Sequence, residues 1–149
     1  MDAARHLGFK FIGSSSNQIN LDIMGEKHSF ELLHCFEFNS DRKRMSILVK
    51  EKGIVKLFIK GADSMIKSLL NNKVDQPFKK FCEYKIDEFS KIGFRCLCIA
   101  MKVISDQEYQ NFMALTENKT SDQICKKIGM ELNFFIYIKW DWQTLLKRI

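Results

Sequence analysis

Two apolar runs joined by a short glycine-bearing turn constrain this chain most. Met45, Ile47 and Val49 alternate with Ser46, Leu48 and Lys50, and Ile54 to Lys60 alternates in the same way. A period of two residues is the signature of a strand. The intervening Glu51-Lys52-Gly53 supplies the glycine that a short hairpin loop favours. The expected register pairs Lys50 near Ile54 and therefore Lys60 near Arg44. It brings Lys43 and Lys60, seventeen residues apart, to the open end of one hairpin.

The rest of the chain extends this pattern. The first residues read as the end of a helix stopped at Gly8, followed by a strand over Gly8 to Ile12 and a polar loop, Gly13 to Asn17. Ile19, Leu21 and Ile23 alternate. A turn over Gly25 to Lys27 leads into a longer strand, His28 to Phe38, with Leu32, His34, Phe36 and Phe38 expected on one face. A short helix begins near Ala62, carrying Met65, Ile66, Leu69 and Leu70. Asp75 is placed to cap the next helix, with Pro77 in its first turn and Phe78, Phe81, Cys82, Ile86 and Phe89 as its buried stripe. Gly93 closes that helix, Arg95 to Val103 reads as a strand, and Ser105 with Glu108 forms a capping box before Tyr109, Phe112 and Met113. Thr120 to Lys127 also reads as helical. Strands and helices do not alternate regularly, so the expected fold class is α+β, a mainly antiparallel sheet flanked by helices.

Bulk properties exclude several classes. The chain has 149 residues, enough for one domain that buries roughly 70% of the surface of its unfolded form. Its longest apolar runs, such as Phe134 to Ile138, are too short to span a bilayer, and the N-terminus lacks the apolar stretch of a signal peptide. The net charge of +6 favours anionic partners but equally describes a solvated basic surface. Five cysteines without two close pairs argue against a zinc site and for reduced, buried thiols. His34 reads as a satisfied core histidine. Asp87 and Glu88 sit on a solvated helix face. A P-loop, GxGxxG, HExxH and a GxSxG elbow are all absent. A chain that uses ATP must then bind it without a phosphate-cradling loop, and no nucleophile or paired carboxylate stands out. Nucleic-acid binding lacks support from any RNP-like or helix-turn-helix pattern.

The stretch FNSDRKRMS, Phe38 to Ser46, places an aromatic ring beside Arg42, Lys43 and Arg44. A ring can stack on a base while cations meet phosphates. Together FEFNSDRKRMSILVK (36–50), LFIKGADSMI (57–66) and FSKIGFRCLCIAMKVISDQEY (89–109) resemble the nucleotide-binding domain of P-type ATPases, more narrowly the phospholipid-transporting type IV flippases. The KGAD at Lys60 to Asp63 and the RKRMS run resemble that branch better than the cation pumps, and AARHLGFKF is similar to the segment after its SPDEAAL motif. The resemblance covers residues 2 to 132, and residues 133–149 form a divergent tail to which no function is assigned.

This resemblance implies an ATP site in which Phe38 stacks on adenine and Leu97 lies near the base. It implies that Ser40 and Lys43 line the nucleotide, that Lys60 sits deep in the pocket and that Arg95 lies near the phosphates, with Met45 as a further wall residue. Each residue has a plainer structural reading. Phe38 fits a core position, Arg42 and Lys43 a solvated turn, and Lys60 a blunted strand end. Gly61 fits a strand-to-helix turn, and Arg95 a partner for a helix carboxylate. The DKTGT aspartate, the TGDN segment and all membrane helices of the family are missing. The resemblance therefore implies one cytoplasmic part of an integral membrane pump, which presents ATP to an aspartate on another domain. It implies that Mg²⁺ arrives with ATP on ligands outside this chain. Phospholipid would be met only by the parent's membrane segments, and the isolated chain would not turn over. The alternative is a non-catalytic interaction module that keeps the fold without binding ATP.

Overall fold

The computed structural model describes residues 2–70, 79–116 and 134–140. Strand β1 (Phe9–Ser14) follows a short helix α1 (Asp2–His6), and β2 (Gln18–Ile23) turns through Met24 and Gly25 into β3 (Glu26–Asn39). Strands β4 (Arg44–Glu51) and β5 (Ile54–Ala62) form the hairpin. Helices α2 (Asp63–Leu69) and α3 (Lys79–Lys91) precede β6 (Arg95–Ile104), and α4 (Asp106–Thr116) precedes β7 (Phe134–Trp140). The seven strands form one sheet in sequence order, every neighbouring pair antiparallel. The α+β expectation holds. Strand β7 lies within the stretch 133–149 and pairs with β6 from Arg95↔Trp140 to Met101↔Phe134.

The hairpin register differs from expectation by one residue. Glu51 pairs with Ile54 and Lys60 with Met45, while Arg44 pairs with Gly61. The loop is Lys52-Gly53 alone, with φ of 49° and 84°. Two successive positive φ values give the two-residue turn whose twist matches that of the strands, and a glycine takes the second at little cost. Alternation alone could not set this register because β4 buries an apolar side chain on each face: Leu48 and Val49 are both buried although they point to opposite sides.

The core lies between one face of the sheet and the helices. Phe36, Leu48, Leu57 and Ile59 pack there with Ile66 of α2, Cys82 and Ile86 of α3, and Phe112 of α4. Cys98 and Ala100 of β6 complete it. The Ser105–Glu108 capping box forms as expected. The Glu108 amide donates to Ser105 Oγ at 3.3 Å, and the Ser105 amide donates to Glu108 Oε2 at 2.9 Å. Lys102 Nζ lies 2.6 Å from Glu108 Oε1.

Several expectations are corrected. In β3, Leu32 pairs with Val49 and His34 with Leu48, so a bulge at Leu33 puts Leu32 and His34 on opposite faces. His34 packs on Phe36 and Phe112, with ring centroids 4.3 and 5.9 Å away, but its Nε2 is buried without a hydrogen-bond partner among the described residues. Cys82 and Cys98 are buried, whereas Cys35 is exposed. Burial, followed by the Asp63 charge, pushes the Cys98 thiol up to about 12. On α3, Phe81 is exposed rather than part of the buried stripe, and Lys85 Nζ lies 6.0 Å from its ring centroid. Asp87 and Glu88 are exposed, as expected, and pair with Lys91 and Lys85. Asp75, Pro77, Phe78, Cys125 and the helix expected over Thr120 to Lys127 lie outside the described residues.

Candidate functional site

A second bulge in β3 builds the site. Phe36 pairs with Ser46 and Asn39 with Arg44, so Glu37 and Phe38 together oppose the single residue Met45. Such a bulge breaks the alternation and re-aims the side chain that follows it. Phe36 is consequently 1% exposed in the core while Phe38, two residues on, is 64% exposed. The expectation that the two rings share a face is thus overturned, as is the core reading of Phe38.

Cross-strand pairing carries the site across the sheet. Met45 pairs with Lys60, and Lys60 with Ile99. Directly paired residues share a face. Ile99 alternates with Leu97 and Arg95 along β6, so these also lie on the face of Lys60. Leu97 pairs with Ala62, whose amide donates to the carbonyl of Lys43 at 3.3 Å. Lys43 has φ of 51° and closes the turn that contains Ser40, its amide donating to the Asn39 carbonyl at 2.8 Å. All six expected site residues therefore gather at one end of the sheet. Phe38, Lys60, Leu97 and Arg95 belong to the face away from the helices, and Ser40 and Lys43 lie in the turn at its rim. Ser40, Lys43, Lys60 and Arg95 are exposed and Leu97 is half-buried.

An open depression of about 300 Å³ occupies this face, its walls including Met45, Ile47, Phe58, Lys60 and Ile99. Its lining is apolar apart from Ser46 and Lys60, which suits a flat heterocycle with an anionic tail. A second apolar groove of about 270 Å³ shares Ile47 and Phe58 and extends towards Phe30, Leu21 and Phe9.

Two residues contribute in ways their sequence context hid. Arg42 is buried, not a solvated turn charge. Its Nη1 donates to the Glu37 carbonyl at 3.1 Å and its Nη2 to Ser46 Oγ at 3.2 Å. Its Cζ lies 5.7 Å from the centroid of the Phe36 ring. Gly61 is the point of closest approach between β5 and the turn: a Cβ there would stand 2.8 Å from both the Lys43 carbonyl oxygen and Arg44 Cβ. The glycine in KGAD was the available signal for Gly61. A buried arginine inside a basic run leaves no signal of its own.

The family model described as P-type ATPase, cytoplasmic domain N, matches residues 12–134. Phospholipid-transporting ATPase C887.12 of Schizosaccharomyces pombe is 35% identical over 122 residues, which is 81% of this chain and 10% of that protein. Phospholipid-transporting ATPase IC of Homo sapiens is 34% identical over 138 residues, covering 89% of this chain and 11% of the human protein. Phospholipid-transporting ATPase DRS2 of Saccharomyces cerevisiae is 37% identical over 112 residues, 73% of this chain and 8% of the yeast protein. The chain thus spans about a tenth of the length of these relatives. A model matching most of the chain establishes that the chain belongs to the P-type ATPase cytoplasmic domain N family.

Proposed function

We propose that this chain is the ATP-binding domain of a phospholipid-translocating P-type ATPase, and that ATP lies on the open face of the sheet beside Phe38. The observation that carries this reading is that an exposed ring, Lys43, Lys60 and Arg95 lie at the same end of the sheet, where Lys60 lines a largely apolar depression. Adenine stacks on Phe38 with Leu97 near the base. Ser40 and Lys43 line the nucleotide. Lys60 enters the depression and Arg95 meets the phosphates. Family membership and the phospholipid-transporting relatives support the reading of the chain as a domain of such a pump.

The chain's residues supply binding, orientation and charge neutralisation. These are what phosphoryl transfer demands of a protein, because that chemistry rests on positioning and electrostatics. The acceptor aspartate belongs to another domain of the parent pump. Mg²⁺, on ligands outside this chain, neutralises the phosphate charge when bound. Phospholipid is moved by the parent's membrane segments, which makes this the cytoplasmic domain of an integral membrane protein.

Binding to this domain alone is weak. A dissociation constant in the millimolar range corresponds to about −4 kcal/mol, and stacking of one base on an aromatic ring contributes about 1–3 kcal/mol. Titration of the chain with ATP, followed by amide chemical shifts, tests the site. Phe38→Ala and Lys60→Ala are each expected to weaken binding several-fold. Unchanged affinity in both variants would refute the assignment.

A further inference from the structure

We infer that Arg42 is the positioning residue of this site: its buried guanidinium holds the β3 bulge that puts Phe38 on the nucleotide face. The inference rests on the nucleotide reading above and adds a residue to it.

The bulge has a structural cost. It takes two residues, Glu37 and Phe38, out of the regular ladder opposite Met45, and a backbone carbonyl left unpaired there loses a hydrogen bond. Arg42 donates Nη1 to the carbonyl of Glu37, a residue inside the bulge, at 3.1 Å. The same guanidinium donates Nη2 to Ser46 Oγ at 3.2 Å and lies over the Phe36 ring. One planar group thus ties the bulge to the residue before it and to the facing strand.

The placement also separates Arg42 from the phosphates. Ser46 pairs with Phe36 and Ile59, both members of the core beneath the helices. Arg42 reaches the core side of the sheet, whereas Met45 and Lys60 look out from the other. Arg42 is 8% exposed, against the exposed Lys43 beside it. Within the basic run the two residues therefore divide the work: Lys43 is available to the ligand, and Arg42 shapes the backbone that carries the ring. A lysine cannot replace it, because a single ammonium lacks the flat fork that reaches two acceptors while resting on an aromatic face.

The test is a double-mutant cycle of Arg42→Lys with Phe38→Ala on the full chain, titrated in parallel with ATP and with adenosine. Arg42→Lys is expected to weaken both ligands several-fold and by the same factor, because the lost contribution is the stacked base. In the Phe38→Ala background it is expected to add no further loss. Weakening of ATP alone would make Arg42 a phosphate ligand and overturn the inference. Independent, additive losses would overturn it too, as would a folded Arg42→Lys chain with unchanged affinity. If Arg42→Lys does not fold, Ser46→Ala removes one acceptor and keeps the guanidinium; equal, smaller losses for both ligands support the inference and no loss overturns it. A Phe38→Ala variant that binds as well as the original chain overturns the nucleotide reading itself, whereas a weakened Phe38→Ala with a silent Arg42→Lys overturns only the positioning role.

Discussion

Gly61 sits where two backbones come closest. A methyl group built on it would meet the Lys43 carbonyl oxygen and Arg44 Cβ, each at 2.8 Å, and the first of these belongs to main chain that cannot rotate away. Gly61→Ala must therefore push β5 from the turn that carries Ser40 and Lys43. Overpacking of this kind costs about 1–3 kcal/mol, readable as a lower urea midpoint. The same displacement is expected to weaken ATP binding several-fold, and an alanine variant with unaltered midpoint and affinity would contradict the close approach. Phe38 shows the converse at this scale. A large ring left 64% exposed is unremarkable by itself, but its neighbour Phe36 is fully enclosed, and the bulge between them separates the two fates. The identity of both rings was legible in the sequence. The change of face was not, because it depends on a ladder irregularity that falls between the Phe36↔Ser46 and Asn39↔Arg44 pairs.

Elements bounded by local chemistry were the most legible. The capping box at the start of α4 needs only Ser105 and Glu108 at the right spacing, and both reciprocal hydrogen bonds form. Glu108 carries a further consequence. The hydrogen bond from Lys102, followed by the Ser105 amide, holds its carboxyl below the usual glutamate range, with burial opposing. A depressed folded-state pKa contributes stability that is present above the unfolded-state value and is lost as pH falls through the folded one. Glu108→Gln is therefore expected to lose stability at neutral pH, by up to about 1 kcal/mol for a pair this exposed to solvent. Its difference from the original chain should shrink as pH drops below the ordinary glutamate value. Urea unfolding at a series of pH values checks this, and a pH-independent difference would contradict the ion-pair contribution. The β4–β5 hairpin was legible as an element but not in register. β4 buries Leu48 on one face and Val49 on the other, so alternation alone does not single out one register. The Lys52-Gly53 turn, with two positive φ values, decides it.

At the scale of the whole molecule, the sheet separates two tasks. One face packs against the helices, and the other presents the depression that Lys60 lines. Leu57, 1% exposed in the core, points to the helices from the strand that sends Lys60 to the opposite side. Leu57→Ala is expected to destabilise the fold by about 2–5 kcal/mol. The folded fraction should bind ATP as the original chain does. Denaturant unfolding and an ATP titration well below the midpoint, done together, check the separation; an affinity loss matching that of Phe38→Ala would show the faces to be coupled.

The sequence by itself determined the α+β class, the hairpin, the capped start of α4 and the family, because each is written in short-range patterns: period-two alternation, turn glycines, a cap and ordered motifs. It also named a set of residues that lie together at one end of the sheet. Only the tertiary structure decided which face each residue joins. Strand register, the two bulges in β3 and the burial of Arg42 all depend on partners that are distant in the chain or on a backbone path that alternation does not encode. A strand that buries a side chain on each side can pair in either register with equal apparent logic, and the neighbours it finds in space choose between them.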